Sequence, residues 1–190
     1  VKSHTLCVSS QVGCAMGCDF CATTKTGFER NLTAGEIVEQ FLALRREAHA
    51  VGHKLQTIVF MGMGEPLLNL DAVLSAVERM ADNKLGALGW RQITVSTVGL
   101  VPGILELAAR PEQFGLAVSL HAPDTELRKT LVPVEKKYPL PVLLDALRRR
   151  SIETVAVELN TGVSSLEGDQ AGLLPEAFSV PAETARAINL

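Results

Sequence analysis

The sequence predicts an α/β fold in which parallel strands are covered by outer helices. The first observation is an alternation along the chain, in which short β-branched apolar segments are followed by longer segments with apolar residues at helical spacing. The second is that polar and glycine-rich residues follow the strands, at the ends where such folds bind ligands. The third is that only four clear strands precede residue 150, so we expect a partial, open barrel.

The elements follow one another in a regular order. The predicted strands are 5–10, 56–62, 91–97, 116–122 and 152–159. The predicted helices are 33–50, 70–81, a short helix over 102–111, 123–131 and 140–150. The clearest boundary is at Thr33, which forms the capping-box pattern with Glu36. Strands that alternate with helices need crossover connections, and they therefore pair in parallel.

Composition places limits on the class of protein. The chain has 190 residues, of which 47% are hydrophobic and 21% charged, enough for one sizeable core in a single domain. The formal net charge of −3 argues against a generic nucleic-acid-binding surface, because such domains usually have a high pI. No apolar run approaches the 18 residues of a membrane span. We therefore expect a cytoplasmic protein without a membrane partner.

The chain divides into two parts by pattern. Residues 1–150 form the predicted core, whereas 151–190 begin with one plausible strand and then become acidic, glycine-rich and weakly periodic. The chain also starts at Val1, directly before an apolar stretch. We expect it to be part of something longer, with a divergent or truncated C-terminal segment.

All four cysteines lie between Cys7 and Cys21. A disulfide framework would spread its cysteines to join distant segments, so this grouping favours a metal centre. Cys14, Cys18 and Cys21 form Cys-x3-Cys-x2-Cys, which can hold a four-iron cluster and leave one iron open for chemistry. A structural zinc site is the alternative, but it needs a fourth ligand, for which Cys7 or His4 is available.

The wider text resembles a known family. Cys-x3-Cys-x-aromatic-Cys within "CVSSQVGCAMGCDFCATTKTGFERNLTAGEIVEQ" is similar to radical S-adenosylmethionine (SAM) enzymes, and specifically to the dual-specificity ribosomal and transfer RNA adenine-C2 methyltransferase family (RlmN). Further matches are "IVFMGMGEPLLN", "RQITVSTVGLVPGI" and "GLAVSLHAPDTELRKTLVPVEKKYPL". The resemblance covers 4–150. It implies a radical SAM partial barrel, a [4Fe-4S] cluster on Cys14, Cys18 and Cys21, and SAM as second cofactor.

The same resemblance implies partners and a cofactor pocket. The partners are 23S rRNA, tRNA and an electron donor such as flavodoxin or ferredoxin, with the protein a monomer. The residues that it places against SAM are Phe20, Gly64, Glu65, Ser96, Ser119, Leu120 and His121. A carboxylate beside glycine backbone suits the methionyl ammonium, and an aromatic ring inside the cysteine loop suits adenine. Taken singly, each has a plainer reading as a turn, a strand-end hydroxyl, a core ring or a structural histidine.

Cys7 lies outside the triplet, and as a lone cysteine it would by default be an inert buried residue. The resemblance makes it catalytic: it removes a proton from the methylated adenine intermediate and resolves the enzyme–RNA adduct with a second, methyl-carrying cysteine. This chain has no equivalent of that second cysteine, so we expect it to cleave SAM slowly and leave RNA unmethylated. The alternatives are a C8-methylating relative that gives antibiotic resistance and a non-catalytic Fe-S or zinc remnant. Glu135 stands where the family usually has asparagine, which bears on local substrate contacts.

Overall fold

A parallel sheet organises the molecule. The computed structural model describes residues 3–84, 86–148 and 155–158. In chain order the strands are β1 (Ser3–Cys7), β2 (Gln11–Gly13), β3 (Phe28–Asn31), β4 (Lys54–Phe60), β5 (Ile93–Thr97), β6 (Gly115–Ser119) and β7 (Val155–Glu158). The helices are α1 (Ala22–Lys25), α2 (Ala34–Ala50), α3 (Leu70–Ala81), α4 (Val101–Ala108), α5 (Thr125–Leu131) and α6 (Leu140–Arg148). Short 3-10 turns lie at Pro66–Leu68, Trp90–Gln92 and Pro133–Lys136.

Five of these strands form one sheet in the order β1-β4-β5-β6-β7, and every neighbouring pair is parallel. The spatial order of these strands follows the chain order, so each connection places the next strand on the same side of the one before it. This confirms the predicted α/β class and is the arrangement of a partial, open barrel. The carboxyl ends of all five strands therefore lie along one edge of the sheet, and the loops that carry the predicted site follow the strands there.

The second sheet is a hairpin that the sequence did not predict. Strands β2 and β3 pair antiparallel, with the cysteine loop and α1 between them. The predicted strand 5–10 is wrong at its end, because β1 stops at Cys7. The backbone of Ser9 is instead bound by Gln40 of α2, whose side chain accepts from the Ser9 N–H at 2.9 Å and donates to its carbonyl at 3.0 Å.

The predicted helices are present with small changes in their bounds. Helix α2 begins after Thr33, whose hydroxyl accepts from the Glu36 N–H while the Glu36 carboxylate accepts from the Thr33 N–H, so the capping box is confirmed. Helix α3 matches its predicted bounds. Helix α4 starts one residue before the predicted range 102–111 and ends three residues before the end of that range. Strand β6 ends at Ser119, because the chain turns at His121 with a φ of +63°.

The hydrophobic core lies on one face of the sheet. Alternate strand side chains pack there against α2, α3, α4 and α6; among them are Leu6, Ile58, Phe60, Ile93, Val95, Leu116 and Val118. Because successive side chains in a strand point to opposite faces, Cys7, Ser96 and Ser119 belong to the face turned away from these helices. The polar residues predicted for the site therefore share the concave face of the open barrel.

Two further expectations concern the rest of the chain. No helix among the described residues is both long and apolar enough to cross a membrane. The predicted strand at 152–159 is confirmed in its described part as β7, which pairs with β6. The remainder of the predicted C-terminal segment, 151–154 and 159–190, lies outside the described residues.

Candidate metal and cofactor site

The loop that carries the metal-binding motif depends on a glycine contact. Gly13 has a φ of +74°, and a Cβ added there would lie 1.8 Å from the carbonyl oxygen of Gly27. This close approach lets the Cys14 N–H donate to the same carbonyl at 3.0 Å. The Thr24 hydroxyl accepts from the Gly17 N–H at 2.9 Å and donates to the Cys14 carbonyl at 3.2 Å. The first cysteine is thus held by hydrogen bonds on both sides of its Cα.

The second cysteine fastens the loop to the sheet. Cys18 is buried in a small apolar cluster with Val98, Val132 and Val134. The next residue, Asp19, donates its N–H to the carbonyl of Leu131 at 3.0 Å. These contacts bring the cysteine loop against the end of β5 and the end of α5.

The three thiols influence one another electrostatically. Burial, followed by the charges of Cys14, Cys21 and Glu65, raises the pKa of the Cys18 thiol to about 11. Burial is also the main cause of the raised pKa of Cys14, with smaller contributions from Glu65 and Cys21. The thiolate is the form that binds metal, so these groups need a positive centre among them before they lose their protons.

Three thiols on one short loop are a donor set that can hold an iron–sulfur cluster. Among the described residues, no group of three or more His, Cys, Asp or Glu side chains could hold one metal ion. Sulfurs on a tetrahedral zinc lie about 3.8 Å apart, whereas in a four-iron cluster each thiolate binds a different iron and the sulfurs lie farther apart. His4 stacks on His53 with ring centroids 4.0 Å apart, at the opposite edge of the sheet, so it is not a fourth ligand.

Glu65 follows β4 and faces the thiols. Its side chain is only 3% exposed, and its two oxygens accept from the N–H groups of Leu67 at 3.0 Å and Val98 at 2.9 Å. Burial raises the pKa of this carboxyl to about 7, although these donors and Thr97 favour the ionised form. Glu65 therefore also joins the loop after β4 to the end of β5, a role that the sequence reasoning missed.

Gln11 is a second residue that the sequence reasoning missed. Its side chain is buried, accepts from the Glu65 N–H at 2.9 Å and donates to the Asn31 side chain at 2.7 Å. Gly64, with a φ of +100°, leaves room for it, because a Cβ there would lie 2.5 Å from the Gln11 Cβ. Gln11 links the hairpin to the loop after β4, which contains Gly64 and Glu65. The signal available in the sequence was its position, three residues before Cys14.

Three predicted site residues lie on the concave face. Ser96 is on β5 beside Ala117 of β6, and Ser119 is two residues farther along β6. Cys7 is exposed at the end of β1, two strands away from β5. Neighbouring strands are about 4.8 Å apart, so Cys7 lies about 10 Å across the sheet from the strand of Ser96.

Phe20 and His121 connect the cysteine loop to the end of β6. Their rings meet edge to face with centroids 4.4 Å apart. Burial, and secondarily the charge of Arg128, lowers the pKa of His121 to about 4, so its imidazole is neutral near pH 7. Leu120 differs from the prediction in one respect. Its side chain packs in the hydrophobic core, which leaves only its backbone for contact with a cofactor.

A buried ion pair lies beneath the predicted SAM residues. Arg128 and Glu135 are both 0% exposed and contact each other through Nη1 and Oε2. Arg128 also donates from Nε to the Leu120 carbonyl at 3.0 Å and from Nη2 to the Val98 carbonyl. Glu135 accepts from the Leu140 N–H at 2.7 Å. Glu135, which stands where the resembled family usually has asparagine, therefore occupies a buried structural position.

Curated relatives resemble this chain closely over its core. A protein of Opitutus terrae named probable dual-specificity RNA methyltransferase RlmN 1 is 68% identical over 143 residues, which are 75% of this chain and 40% of that protein. The dual-specificity RNA methyltransferase RlmN of Syntrophobacter fumaroxidans is 53% identical over 144 residues, 76% of this chain and 42% of that protein. The chain thus spans about two fifths of the length of these relatives.

The fold and the family agree with this similarity. The crystal structure of a radical SAM methyltransferase from Sphaerobacter thermophilus superposes with a TM-score of 0.78 at 48% identity, covering 82% of this chain and 46% of that one. The family model described as the radical SAM superfamily matches residues 8–159, which include all three cysteines of the metal motif and every strand from β2 to β7. The chain belongs to the radical SAM superfamily.

Proposed function

We propose that this chain is the catalytic core of a radical SAM enzyme that methylates C2 of an adenine in 23S rRNA and in tRNA. The observation that carries the proposal is the convergence of the three motif thiols and the buried Glu65 at the sheet edge that also holds Ser96, Ser119 and His121. The names of the relatives support an RNA substrate. Those names do not favour the C8-methylating alternative.

In this proposal Cys14, Cys18 and Cys21 hold a [4Fe-4S] cluster. When bound, the cluster supplies the electron that cleaves SAM to methionine and a 5′-deoxyadenosyl radical. The chain's own part is to release the protons of buried thiols, whose raised pKa values make cluster assembly more favourable as pH rises. The apolar wall around Cys18 excludes water from one side of the site.

SAM would lie between the cysteine loop and the concave face. Glu65 accepts one backbone N–H at each oxygen and retains further lone pairs, so it can also bind the methionyl ammonium. Ser96 and Ser119 offer hydroxyls to the ribose and the carboxylate. Phe20, with the neutral His121 against it, offers a flat surface to the adenine. Gly64 and the backbone of Leu120 complete the proposed set.

Cys7 is the proposed catalytic residue. It is exposed on the concave face, where an RNA base could reach it, and its thiolate would remove a proton from the methylated adenine. The four cysteines of the chain are then all assigned: three as ligands and one as base. We therefore propose that the 190-residue chain cleaves SAM slowly and does not complete RNA methylation. Flavodoxin or ferredoxin would supply the electron, and the protein would work as a monomer in the cytoplasm.

The decisive experiment compares two cysteine variants after anaerobic reconstitution. Iron and sulfide are assayed, and electron paramagnetic resonance is recorded after reduction, with and without SAM. We expect about four irons per chain and a SAM-dependent change of the spectrum. Cys14→Ala should lose the cluster, whereas the control Cys7→Ala should retain it. Full iron retention by Cys14→Ala, or stoichiometric zinc in place of iron, would contradict the proposal.

The reaction itself is followed by mass spectrometry. 5′-Deoxyadenosine is measured in the reaction mixture, and methyladenine is measured in 23S rRNA and tRNA incubated with the reduced, SAM-loaded chain. We expect slow formation of deoxyadenosine and no methyladenine above background. A 2-methyladenine product would show that the four cysteines suffice for the whole reaction, and an 8-methyladenine product would favour the C8-methylating alternative.

A further inference from the structure

We propose that the buried Arg128–Glu135 pair positions the ends of β5 and β6 for SAM, so that it acts on cofactor binding without touching the cofactor. The inference rests on the proposed function, because it concerns the same SAM site. Both side chains are fully buried, yet neither is among the residues that the family resemblance places against SAM. Their role follows from their hydrogen-bond partners, which are backbone groups at the ends of β5 and β6 and at the start of α6.

One guanidinium joins two strand ends. Arg128 donates from Nη2 to the carbonyl of Val98, directly after β5, and from Nε to the carbonyl of Leu120, directly after β6. A guanidinium is planar and presents its donors in a fixed fork, so it sets the distance and the angle between the two carbonyls. A lysine ammonium has no such fork and cannot impose that geometry.

Glu135 keeps this charge compensated and extends the link to a helix. Its Oε2 contacts Arg128 Nη1, and its Oε1 accepts from the N–H of Leu140 at the start of α6. A buried guanidinium without a counterion would be strongly unfavourable. Glu135 therefore holds Arg128 in place and fastens α6 to the same point.

The two strand ends adjoin two parts of the proposed SAM site: Glu65 on one side, and Ser119 with His121 on the other. Val98 accepts from Arg128 through its carbonyl while its N–H donates to Glu65 at 2.9 Å. Leu120 lies between Ser119 and His121. There is little free space around the link, because a Cβ on Gly99 would lie 3.2 Å from Arg128 Nη2. A shift of Arg128 would therefore displace the carboxylate and the β6 contacts together.

The test uses Arg128→Lys, which keeps the charge but loses the fork. A second variant, Arg128→Met combined with Glu135→Leu, replaces the pair by apolar groups, a change that buried ion pairs often tolerate without unfolding. The control is Met80→Ala, a fully buried core position near the end of α3, away from this edge. SAM affinity is measured by calorimetry on cluster-loaded protein, with iron content and thermal unfolding in parallel. Amide hydrogen exchange is measured on cluster-free protein.

Both Arg128 variants should bind SAM at least tenfold more weakly at a temperature where they are folded, with unchanged iron content. Their amide exchange should accelerate in 96–100 and 119–122 ahead of the rest of the sheet. Met80→Ala should lower the unfolding temperature and leave SAM affinity unchanged.

A purely structural role would leave SAM affinity within twofold of wild type and spread faster exchange evenly over the sheet, which would overturn the inference. Wild-type protein that loads the cluster but binds no SAM would overturn the proposed SAM site instead. The exchange comparison on cluster-free protein would then still decide whether Arg128 holds the strand ends.

Discussion

The Glu65 carboxylate accepts hydrogen bonds from the backbone of two separate segments while it lies beside the cysteine thiols. Removing it would leave the N–H groups of Leu67 and Val98 without their acceptor, and an unsatisfied buried donor costs about 1–3 kcal/mol. Loss of SAM binding in Glu65→Ala would therefore have two causes, a lost ligand contact and a displaced strand end. Stability must be measured beside affinity to separate them.

The ionisation of Glu65 predicts a pH dependence of stability. Burial raises its pKa from 4.5 to about 7, so between these values the unfolded chain has lost a proton that the folded chain retains. The free energy of unfolding of cluster-free protein should therefore fall as pH rises through this window, by at most about 3 kcal/mol from this group. Urea denaturation between pH 4.5 and 7.5 measures it. Subtracting the curve of Glu65→Gln isolates the contribution, and a constant difference between the two curves would contradict the prediction.

His121 predicts the opposite trend. Its pKa is lowered from 6.5 to about 4, chiefly by burial, so its contribution to stability is complete above pH 6.5 and is lost as pH falls towards 4. His121→Asn should remove this loss, because an asparagine side chain does not titrate. Asparagine is chosen because it tolerates the positive φ at this position. We expect a difference of about 1–2 kcal/mol near pH 4.5, since the ring is only partly buried. Imidazole NMR titration checks it directly: protonation of His121 already complete at pH 6 would refute the assignment.

At the scale of elements, the hairpin β2–β3 determines how the cysteine loop is presented. Its second strand has the sequence "FERN", and all four residues are exposed, so it lacks the alternation of a half-buried strand. It exists because β2 pairs with it and because Leu32 donates its N–H to the Ser10 carbonyl at 3.1 Å. By contrast, α2 begins at a capping box whose two partners are three residues apart.

Two glycines of this hairpin provide a matched pair of substitutions. Gly13 and Gly27 have φ values of +74° and +79°, so alanine at either position costs about 1–2 kcal/mol in backbone strain. A Cβ on Gly13 would also collide with the Gly27 carbonyl, whereas one on Gly27 meets nothing within 4 Å. Gly13→Ala should therefore lose more than about 3 kcal/mol in total and most of its iron. Gly27→Ala should retain the cluster. Equal losses in chemical denaturation and iron assays would disprove this reading.

At the scale of the whole molecule, the cysteine loop couples metal binding to the stability of the fold. Cys18 packs against residues from the end of β5 and from the segment after α5, so a cluster bound at the loop would tighten contacts between distant parts of the chain. A ligand that binds only the folded state raises the unfolding temperature by mass action.

Removal of the cluster should therefore loosen this part of the molecule selectively. We expect the thermal midpoint to fall by about 5 °C or more and amide exchange to accelerate over 14–21 and 131–135. The central strands β4 and β5 should keep their protection, because their side chains belong to the main core. Scanning calorimetry and hydrogen exchange on protein with and without iron make the comparison. Uniform acceleration over all strands would contradict it.

The sequence indicated most of the residues proposed for the site through its resemblance to a known family. By itself it determined the order of strands and helices in the main sheet and the three-cysteine motif. These last two features depend on local patterns: apolar periodicity, a capping box, and ligands three and four positions apart. Such patterns are visible in a single stretch of chain because the interacting groups are neighbours in sequence. The superfamily and the parallel sheet followed from them and are confirmed.

Only the tertiary structure decided how distant residues meet. Glu65 accepts from a residue 33 positions away, and Gln11 accepts from one 54 positions away. The Arg128 fork reaches back 30 residues to Val98, and the exposure of Cys7 depends on which face of the sheet the helices cover. No local periodicity encodes such pairs, because hydrogen bonds and burial depend on distance in space after the strands have taken their order.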